Sequence, residues 1–346
     1  MSNKKLKTAV LGLSATGSRL LESAIATGLF EITAVADRQL EYAERVAKAN
    51  ECAAFDDFRQ MVVQNKPEVL LIGSPLHLCK DILRSAIKEG IHIVKPSPAG
   101  LDFESAADFI RLSRKNSVRF FVINTWRSTP GFTRLKEHLE DIPKDQFHLI
   151  SAVCNVPRAK YDMDNRWLSD PSLAGGGVLL RDSYEMIDAI VTHFGIPEKV
   201  YSLSTNHAPD RQQRLSITED TSVVTMKFTD TLLGNLVASR TFGPPVEVLR
   251  VHTAENVVSV KTDSFSISDN NGNLIEESSY EVSKKQCLEN TLKDFANSIL
   301  SPKQHPLTDA EQADINIMAV VESAYLSVRT ASPEEPARIL NMVKKI

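Results

Sequence analysis

Hydrophobic and polar positions follow two different patterns along the chain, and the pattern changes near residue 126. From Thr8 to Ile123, short apolar runs of strand length alternate with stretches whose apolar residues recur at helical spacing. Such alternation predicts a parallel sheet covered by helices. The predicted strands are Thr8–Leu13, Glu31–Ala36, Glu68–Ile72, Ile91–Val94 and Val118–Ile123, and the predicted helices are Gly17–Thr27, Gln39–Ala49, Leu76–Glu89 and Phe103–Lys115.

The second part of the chain is dominated by strands that follow one another without helices between them. Turn-forming residues separate these strands, among them Asn270-Asn271-Gly272, which favours a hairpin. Consecutive strands of this kind predict a mainly antiparallel sheet. The predicted strands are Phe147–Val156, Val200–Ser204, Thr221–Phe228, Leu232–Arg240, Val248–Thr253, Val257–Lys261 and Ser264–Ser268, and the predicted helices are Gly131–Glu140, Gly177–Phe194, Lys285–Leu300 and Asp309–Ala331.

The change of pattern, together with a length of 346 residues, predicts two domains. We expect a doubly wound α/β domain of the Rossmann type over residues 1–125. An α+β domain with a mainly antiparallel sheet is expected over residues 126–346. A cleft between two such domains is the usual place for a small-molecule ligand.

Composition and charge exclude several classes of partner. The formal net charge of −4 gives no electrostatic reason to expect nucleic acid or an anionic membrane surface. No segment approaches the roughly 18 uninterrupted apolar residues of a membrane helix, and no signal-peptide core is evident. The four cysteines lie far apart and are expected to be reduced, as in a cytoplasmic protein. No histidine pair has metal-ligand spacing, so no metal site is predicted.

The first predicted strand leads into a dinucleotide-binding fingerprint, G-L-S-A-T-G, with serine at the second glycine position. Gly12 permits the tight turn, and Gly17 lets the helix pack close to the strand. At the middle position the backbone approaches the pyrophosphate, and a serine there either hydrogen-bonds a phosphate or crowds it. The predicted cofactor-binding residues of this turn are Gly12, Ser14, Ala15, Thr16 and Gly17.

Two residues at the end of the second strand bear on the choice of cofactor. Asp37 lies twenty residues after Gly17, where a carboxylate would bind the ribose hydroxyls of NAD. Arg38 follows at once, and its guanidinium would pair with the 2′-phosphate of NADP. These two residues therefore leave the choice between NAD and NADP open. The remaining predicted cofactor-binding residues are Ser74, Pro75 and His77, with an ordinary surface role as the alternative for the histidine.

At several motifs, and over essentially its full length, the chain resembles the Gfo/Idh/MocA family of oxidoreductases. The resemblance implies an open antiparallel sheet in the second domain, commonly used for dimerisation, and hence a homodimer or homotetramer. It also implies hydride transfer between NAD(P) and a sugar, polyol or similar carbonyl or hydroxyl compound. The motifs are the fingerprint, Ala34–Arg38, Gly73–Pro75, Glu89–Val94 and Asn165–Gly177, the last ending in three glycines.

The chain departs from the family pattern just after the predicted strand Ile91–Val94. Family members typically carry Glu-Lys-Pro there, with the lysine near the substrate hydroxyl. An ungapped alignment places Pro96-Ser97-Pro98 at these positions, so Ser97 takes the place of the lysine. Lys95 lies two residues earlier and would serve only if the loop slips by two residues. Ser97 and Lys95 are both candidate catalytic residues.

A second departure follows the triple glycine. The family pattern is an aspartate, a histidine four residues later and a second aspartate three residues further on. These positions hold Arg181, Glu185 and Asp188, so only the last residue is kept. Spacings of four and three place the side chains on one helix face. The missing lysine and histidine matter because alcohol–ketone hydride transfer needs a group that accepts or donates the hydroxyl proton.

The replacement residues allow two interpretations. Arg181 keeps its proton and would bind a carboxylate or phosphate, while Glu185 is a candidate acid or base. Alternatively, Arg181 and Glu185 form an i, i+4 ion pair that fills a retired active site. Further candidate proton donors are Tyr184, Tyr161, Lys160 and Lys95.

These residues lead to one leading hypothesis and two alternatives. The leading hypothesis is a divergent NAD(P)-dependent oxidoreductase that acts on a small, anionic substrate. The first alternative is a regulator or sensor that binds NAD(P) and does no chemistry. In the second alternative Ser14 closes the pocket, which leaves a structural dimer without cofactor.

Overall fold

The computed structural model describes residues 4–140, 142–157, 163–207, 217–241, 243–304 and 310–343. The chain divides into two compact units. The first consists of Met1–Ala99, Ser105–Thr125 and Ser283–Glu311, and the second of Gly100–Glu104, Trp126–Val282 and Gln312–Ile346. The main division falls at residue 125. A single boundary does not describe the two units, because Ser283–Glu311 returns to the first unit.

The first unit contains a six-stranded parallel sheet in the order β3-β2-β1-β4-β5-β6. The order reverses between β1 and β4, which is where doubly wound sheets bind ligands at the carboxyl ends of their strands. The predicted Rossmann fold is therefore confirmed. The strands are β1 (Leu6–Leu11), β2 (Phe30–Ala36), β3 (Ala53–Phe55), β4 (Val69–Ile72), β5 (His92–Pro96) and β6 (Phe120–Ile123), and the first helices are α1 (Ala15–Thr27), α2 (Leu40–Ala49), α3 (Phe58–Asn65), α4 (Leu76–Lys88) and α5 (Phe103–Lys115).

Strand β3 and helix α3 were not predicted from the sequence. β3 has only three residues, which is too few to show a periodic pattern. It forms because its backbone pairs in parallel with the end of β2. Helix α3 is started by Asp57, whose carboxylate accepts hydrogen bonds from the amides of Arg59 and Gln60. A capping signal rather than apolar periodicity marks this helix.

The second unit is built on an eight-stranded sheet in the order β14-β13-β12-β11-β7-β10-β9-β8. Neighbouring strands are antiparallel except for β7 and β10, which are parallel. The predicted mainly antiparallel sheet is confirmed. The strands are β7 (Phe147–Asn155), β8 (Lys199–Thr205), β9 (Thr221–Lys227), β10 (Leu233–Ser239), β11 (Val246–Thr253), β12 (Asn256–Val260), β13 (Ser264–Asp269) and β14 (Leu274–Ser279).

Helices cover one face of this sheet. The ring of Phe194 lies edge-on to Phe147 of β7 and packs near Phe228. Edge strand β14 was not predicted, because Glu276, Glu277 and two serines dilute its apolar character. The first helices of this unit are α6 (Pro130–Glu140), α7 (Pro171–Ala174), α8 (Val178–Arg181) and α9 (Tyr184–Phe194).

The prediction of one continuous helix over Gly177–Phe194 was wrong. Asp182 and Ser183 interrupt it between α8 and α9. The amide and the hydroxyl of Ser183 both donate to the carbonyl of Val178. These hydrogen bonds end α8 after a single turn. A side chain that competes with the backbone for hydrogen bonds commonly ends a helix in this way.

Helix α10 (Lys284–Leu300) completes the core of the first unit. Its residues Leu292, Phe295 and Ala296 are fully buried among the side chains of the parallel sheet. The ring centroid of Phe295 lies 5.3 Å from that of Phe121 on β6. The sequence predicted the helix, but only the fold shows which sheet it covers.

Two further helices close the described chain, α11 (Ala310–Thr330) and α12 (Pro336–Val343). The last helix was not predicted. Between them, Glu334 forms a two-way backbone bridge with Val200 of β8, which pairs part of that edge strand. Across the described ranges, no helix is both long enough and apolar enough to span a bilayer.

We predict that Phe295→Ala lowers the free energy of unfolding by about 3–5 kcal/mol, because it leaves a cavity in the core of the first unit. Urea denaturation measures this change. Lys285→Ala, on the exposed side of the same helix, is the control and should change the free energy by less than about 0.5 kcal/mol. Equal effects of the two substitutions would contradict the assignment of α10 to this core.

Candidate functional site

A tight turn follows β1 at Gly12, whose φ of 83° favours glycine. A Cβ at this position would lie 2.0 Å from the Ser74 hydroxyl oxygen. The amides of Gly73 and Ser74 both donate to the carbonyl of Leu11, which ties the end of β4 to the end of β1. The sequence-predicted residues Gly12 and Ser74 are therefore brought together.

Three backbone segments meet in this turn at van der Waals distance. A Cβ on Gly17 would lie 1.8 Å from the carbonyl oxygen of Gly12. A Cβ on Gly73 would lie 2.3 Å from the same oxygen and 2.4 Å from the Cα of Gly17. Glycine is required at all three positions so that α1 can begin directly against the sheet. Gly17 was predicted to have this role, and Gly73 is its partner.

The side chain of Ser14 is hydrogen-bonded to the backbone that follows β4. Its hydroxyl donates a hydrogen bond of 3.0 Å to the carbonyl of Gly73. Within the part of the chain that the structure describes, the Ser14 side chain does not cap the amides at the start of α1. Ser14 and Ala15 are exposed and Thr16 is half-buried. The positive end of the helix dipole is thus open to an anionic ligand.

Asp37 is anchored beside this turn through both of its carboxylate oxygens. Oδ2 accepts from the amide of Leu13 at 2.8 Å, and Oδ1 accepts from the amide of Gln39 at 3.1 Å. Each oxygen keeps a further lone pair for a hydroxyl donor. The neighbouring Arg38 side chain is exposed. Asp37 and Arg38 are thus consecutive residues just after the end of β2.

Pro75 and His77 lie at the start of α4, which follows β4. Pro75 holds the N-cap position, and His77 is half-buried in the first turn. They share the carboxyl edge of the parallel sheet with Gly12 and Asp37. The predicted cofactor-binding residues therefore group around the ends of β1, β2 and β4.

Lys95 is buried at the end of β5, with 4% of its surface exposed. Its ammonium group donates to the carbonyl of Pro96 at 2.6 Å and to the carbonyl of Pro98. Burial raises the pKa of Cys79 to about 12, and the charge of Lys95 opposes this rise. Ser97, in the loop that Lys95 holds, is half-buried.

The triple glycine of the second unit is packed against three different segments. A Cβ on Gly175 would lie 2.0 Å from the carbonyl oxygen of Leu101. A Cβ on Gly176 would lie 2.1 Å from the Tyr325 hydroxyl, and one on Gly177 would lie 1.8 Å from the carbonyl oxygen of Glu219. Any side chain in this turn would push one of these segments away.

Arg181 closes the segment that contains the triple glycine. Its Nε and Nη2 donate to the carbonyl of Ala174 at 2.9 and 2.5 Å. The guanidinium also lies over the Trp167 ring, 4.6 Å from its centroid. Arg181 is the last residue of α8, whereas Glu185 belongs to α9 beyond the interruption. The predicted ion pair between Arg181 and Glu185 stays a prediction.

Asp188 forms a bidentate ion pair with Arg127, whose Nε and Nη2 lie 2.8 and 2.5 Å from its carboxylate oxygens. Asp188 is 2% exposed, and the Thr192 hydroxyl also donates to it. Burial lowers the pKa of Arg127, but hydrogen bonding and charge from Asp188 outweigh this effect and raise it above its ordinary value. Asp188 is thus held by Arg127, a partner that its own sequence neighbourhood does not reveal.

The remaining candidates have different environments. Tyr184 is buried, and its hydroxyl donates to the carboxylate of Asp314 at 2.9 Å. Glu185 is half-buried in the first turn of α9. Lys160 and Tyr161 lie outside the described residues. In the described part of the chain, no group of three or more His, Cys, Asp or Glu side chains is arranged to hold a metal ion.

Sequence reasoning missed three residues that shape this part of the second unit, namely Glu219, Arg240 and Asp314. Arg240 donates from Nε to the Asp182 carboxylate at 2.5 Å, and this pair is 12% and 2% exposed. Each of the three contacts a residue of α8, of α9 or of the interruption between them, from at least 40 positions away. No local pattern signals such partners.

Comparisons with known proteins agree with this architecture. The model GFO_IDH_MocA, described as "Oxidoreductase family, NAD-binding Rossmann fold", matches residues 6–124. A scyllo-inositol 2-dehydrogenase (NADP(+)) from Bacillus subtilis is 27% identical over 209 residues, which are 58% of this chain and 63% of that protein. A D-glucoside 3-dehydrogenase from Escherichia coli is 23% identical over 205 residues, which are 57% of this chain and 56% of that protein. The matches thus span less than two thirds of either relative.

Solved structures extend the likeness in fold to nearly the whole chain. A levoglucosan dehydrogenase in complex with NADH and levoglucosan has a TM-score of 0.85 at 15% identity, and covers 96% of this chain and 99% of its own. An oxidoreductase from Thermotoga maritima has a TM-score of 0.80 at 20% identity, with 97% and 99% covered. At these identities the likeness establishes the fold of both units.

We predict that Gly17→Ala weakens NADH binding at least about tenfold, because the new Cβ would force α1 away from the Gly12 carbonyl. A fluorescence titration of NADH measures the affinity. The control is Gly28→Ala at the other end of α1, where φ is also positive but no atom lies within 4 Å of a Cβ. It should cost about 1 kcal/mol of stability and leave the affinity unchanged. Equal affinity in both variants would contradict the role of Gly17.

Proposed function

We propose that this chain is an NAD(P)-dependent oxidoreductase that acts on a small, anionic carbonyl or hydroxyl compound. The premise is that it belongs to the Gfo/Idh/MocA family of NAD(P)-binding oxidoreductases. The observation that carries the proposal is the close approach of Gly12, Gly17 and Gly73. This contact leaves the start of α1 open to a pyrophosphate, beside an anchored carboxylate.

The residues of the first unit fit a dinucleotide. The backbone of Gly12, Ser14, Ala15, Thr16 and Gly17 would hold the pyrophosphate. Because the Ser14 hydroxyl is bonded to Gly73, it does not extend from the turn toward a phosphate, which argues against a pocket closed by serine. When bound, the nicotinamide cofactor supplies the donor or acceptor of a hydride.

Two neighbouring side chains bear on the form of the cofactor. Asp37 fits the ribose hydroxyls of NAD, since both of its oxygens are fixed by backbone amides and keep acceptor capacity. Arg38 fits the 2′-phosphate of NADP through an exposed guanidinium. Ser74, Pro75 and His77 would border the cofactor at the end of β4. The titration below therefore compares NADH with NADPH.

We assign the proton transfer to Glu185. Lys95 is committed to two carbonyls of its own loop, and Tyr184 is buried against Asp314. Asp188 is held as the partner of the Arg127 guanidinium, which favours a positioning role. Among the proposed set, Glu185 combines a titratable carboxyl group with partial exposure. It replaces the histidine of the family pattern.

Ser97 and Arg181 complete the proposed catalytic set. The Ser97 hydroxyl would hydrogen-bond the substrate at the position of the family lysine. Lys95 would fix the loop that carries Ser97 through its hydrogen bonds to the carbonyls of Pro96 and Pro98. Arg181 would contribute positive charge that favours an anionic substrate, although two of its donors are bonded to Ala174.

A second function is favoured by one specific observation. Two donors of the Arg181 guanidinium are bonded to the main chain, and the family resemblance places Ser97 and Glu185 at the usual lysine and histidine positions. This combination also fits a regulator that binds NAD(P) without chemistry. A regulator binds the dinucleotide and shows no turnover, whereas an enzyme turns over at least one compound.

The deciding experiment is a fluorescence titration with NADH and NADPH, followed by absorbance assays of the reduced nicotinamide with keto acids, sugars and sugar acids. We expect tight binding and turnover of a compound that carries a carboxylate. Glu185→Gln should then lower kcat by about 10²–10⁴-fold, because the amide cannot transfer the proton. Glu198→Gln, on the exposed surface of the same unit, is the control.

The possible outcomes separate the two functions. Binding without turnover of any compound would favour the regulator. Absence of binding of either cofactor would refute both functions. Turnover that Glu185→Gln leaves unchanged would remove Glu185 from the site.

We also propose that the protein forms a homodimer or homotetramer through the uncovered face of the eight-stranded sheet. An apolar row crosses this face, in which Leu203, Val223 and Val237 are cross-strand neighbours. They are 62%, 41% and 39% exposed. A contiguous apolar row of this kind is typical of a protein interface.

We predict that Val223→Glu lowers the mass measured by light scattering to that of the monomer, because a charge at the centre of an apolar interface is unpaired. Val63→Glu is the control, since Val63 is 66% exposed on α3 of the first unit. A monomeric parent protein, or a mass that Val223→Glu leaves unchanged, would contradict this interface.

A further inference from the structure

The carboxylate of Glu219 is bound from three sides. Oε2 accepts from the amide of Gly177 at 2.8 Å. Oε1 accepts from the amide of Leu179 at 3.0 Å and from the Tyr325 hydroxyl at 2.9 Å. The backbone carbonyl of Glu219 accepts from the amide of Val178 at 3.1 Å. One residue therefore satisfies three consecutive amides at the start of α8.

The triple glycine makes this arrangement possible. Tyr325 approaches the chain where Gly176 has no side chain, and Glu219 approaches it where Gly177 has none. Tyr325 belongs to α11, and Glu219 lies just before β9. A helix and a strand that are distant in sequence thus meet on one turn of backbone.

Helix α8 depends on such partners because it has a single turn, and isolated turns are unstable in water. Its start is held by Glu219. Its end is held by Asp182, which forms the buried pair with Arg240. Between these anchors lies Arg181, which in turn holds Ala174 and the Trp167 ring.

The electrostatic environment of Glu219 agrees with a structural anchor. Burial raises the pKa of Glu219, and the hydrogen bonds from Leu179, Tyr325 and Gly177 oppose the rise. Burial beside this carboxyl group also raises the pKa of Tyr325 well above its usual value. The tyrosine therefore stays protonated as a donor.

We propose that Glu219 and Tyr325 are positioning residues that fix the turn of residues 175–179, and through it set the orientation of Arg181 and of the helix that carries Glu185. The inference rests on the proposed function where it concerns Glu185. It goes beyond that function because neither residue belongs to the proposed catalytic set.

The first test is independent of activity. The protein has two tryptophans, so labelling with 5-fluorotryptophan gives two ¹⁹F resonances, which Trp126→Phe assigns. Because Arg181 stacks on Trp167, the Trp167 resonance reports the orientation of α8. We expect Tyr325→Phe and Glu219→Gln to shift this resonance and to leave that of Trp126 in place.

The matched control is Glu198→Gln, which removes an exposed carboxylate of the same unit and should move neither resonance. Circular dichroism of each variant confirms that it is folded. Tyr325→Phe removes only one hydroxyl and keeps the fold testable should Glu219→Gln fail to fold. A Trp167 resonance that stays unchanged in folded Tyr325→Phe would overturn the proposal.

The second test uses a compound that the absorbance panel shows to be turned over. In Tyr325→Phe we expect kcat to fall by about tenfold or more, since displaced catalytic groups lose rate steeply. The affinity for NADH, whose residues lie in the first unit, should not change. Unchanged kcat together with a shifted Trp167 resonance would refute the link to Glu185. Absence of any turnover would count against the proposed function alone. The ¹⁹F result by itself decides whether Glu219 and Tyr325 fix the turn of residues 175–179.

Discussion

Close packing at glycine positions is the constraint on which both units depend. In the first unit, the ends of β1 and β4 and the start of α1 meet at Gly12, Gly73 and Gly17, where any Cβ would lie within about 2.3 Å of another atom. In the second unit, three consecutive glycines contact three distant segments. Glycine is needed because these contacts have no volume for a side chain. In each unit, the contact precedes a helix whose first amides need a partner.

The two units differ in whether a side chain binds those amides. In the first unit the Ser14 hydroxyl bonds to Gly73, which leaves the start of α1 available to a ligand. In the second unit the buried carboxylate of Glu219 occupies the start of α8. The same local arrangement thus gives an open anion site in one place and an internal anchor in the other. Which of the two arises is decided by whether the fold supplies an acidic side chain.

Buried ion pairs connect the proposed catalytic helix, and the residues just before it, to the rest of the second unit. Asp182 pairs with Arg240 and Asp188 pairs with Arg127, and both carboxylates are 2% exposed. Removing one member of such a pair leaves an uncompensated buried charge, so each pair constrains its partner strongly. Glu185 lies between these two residues in the sequence and is half-buried. The helix is therefore fixed around the residue to which we assign proton transfer.

The fold was predictable where strand–helix alternation was long and regular. The sequence predicted five of the parallel strands and the antiparallel sheet. It did not predict β3, with three residues, or β14, an edge strand diluted by glutamates. The apolar period also runs through Asp182 and Ser183, and so predicted one helix where the structure has two. Hydrogen bonds from Ser183 to Val178 end the first turn, and periodicity does not register them.

The candidate site divides in the same way. The sequence by itself determined the fingerprint from Gly12 to Gly17 and the acid at Asp37, because their spacing follows from one strand, one turn and one helix. It also predicted Ser97, Arg181 and Glu185 as candidate site residues. The tertiary structure decided what those residues contact: Lys95 turns to its own loop, and Arg181 holds Ala174. It also decided the partners Arg127, Arg240, Glu219 and Tyr325, because contacts between residues far apart in sequence depend on how the sheet and helices pack, which no local spacing encodes.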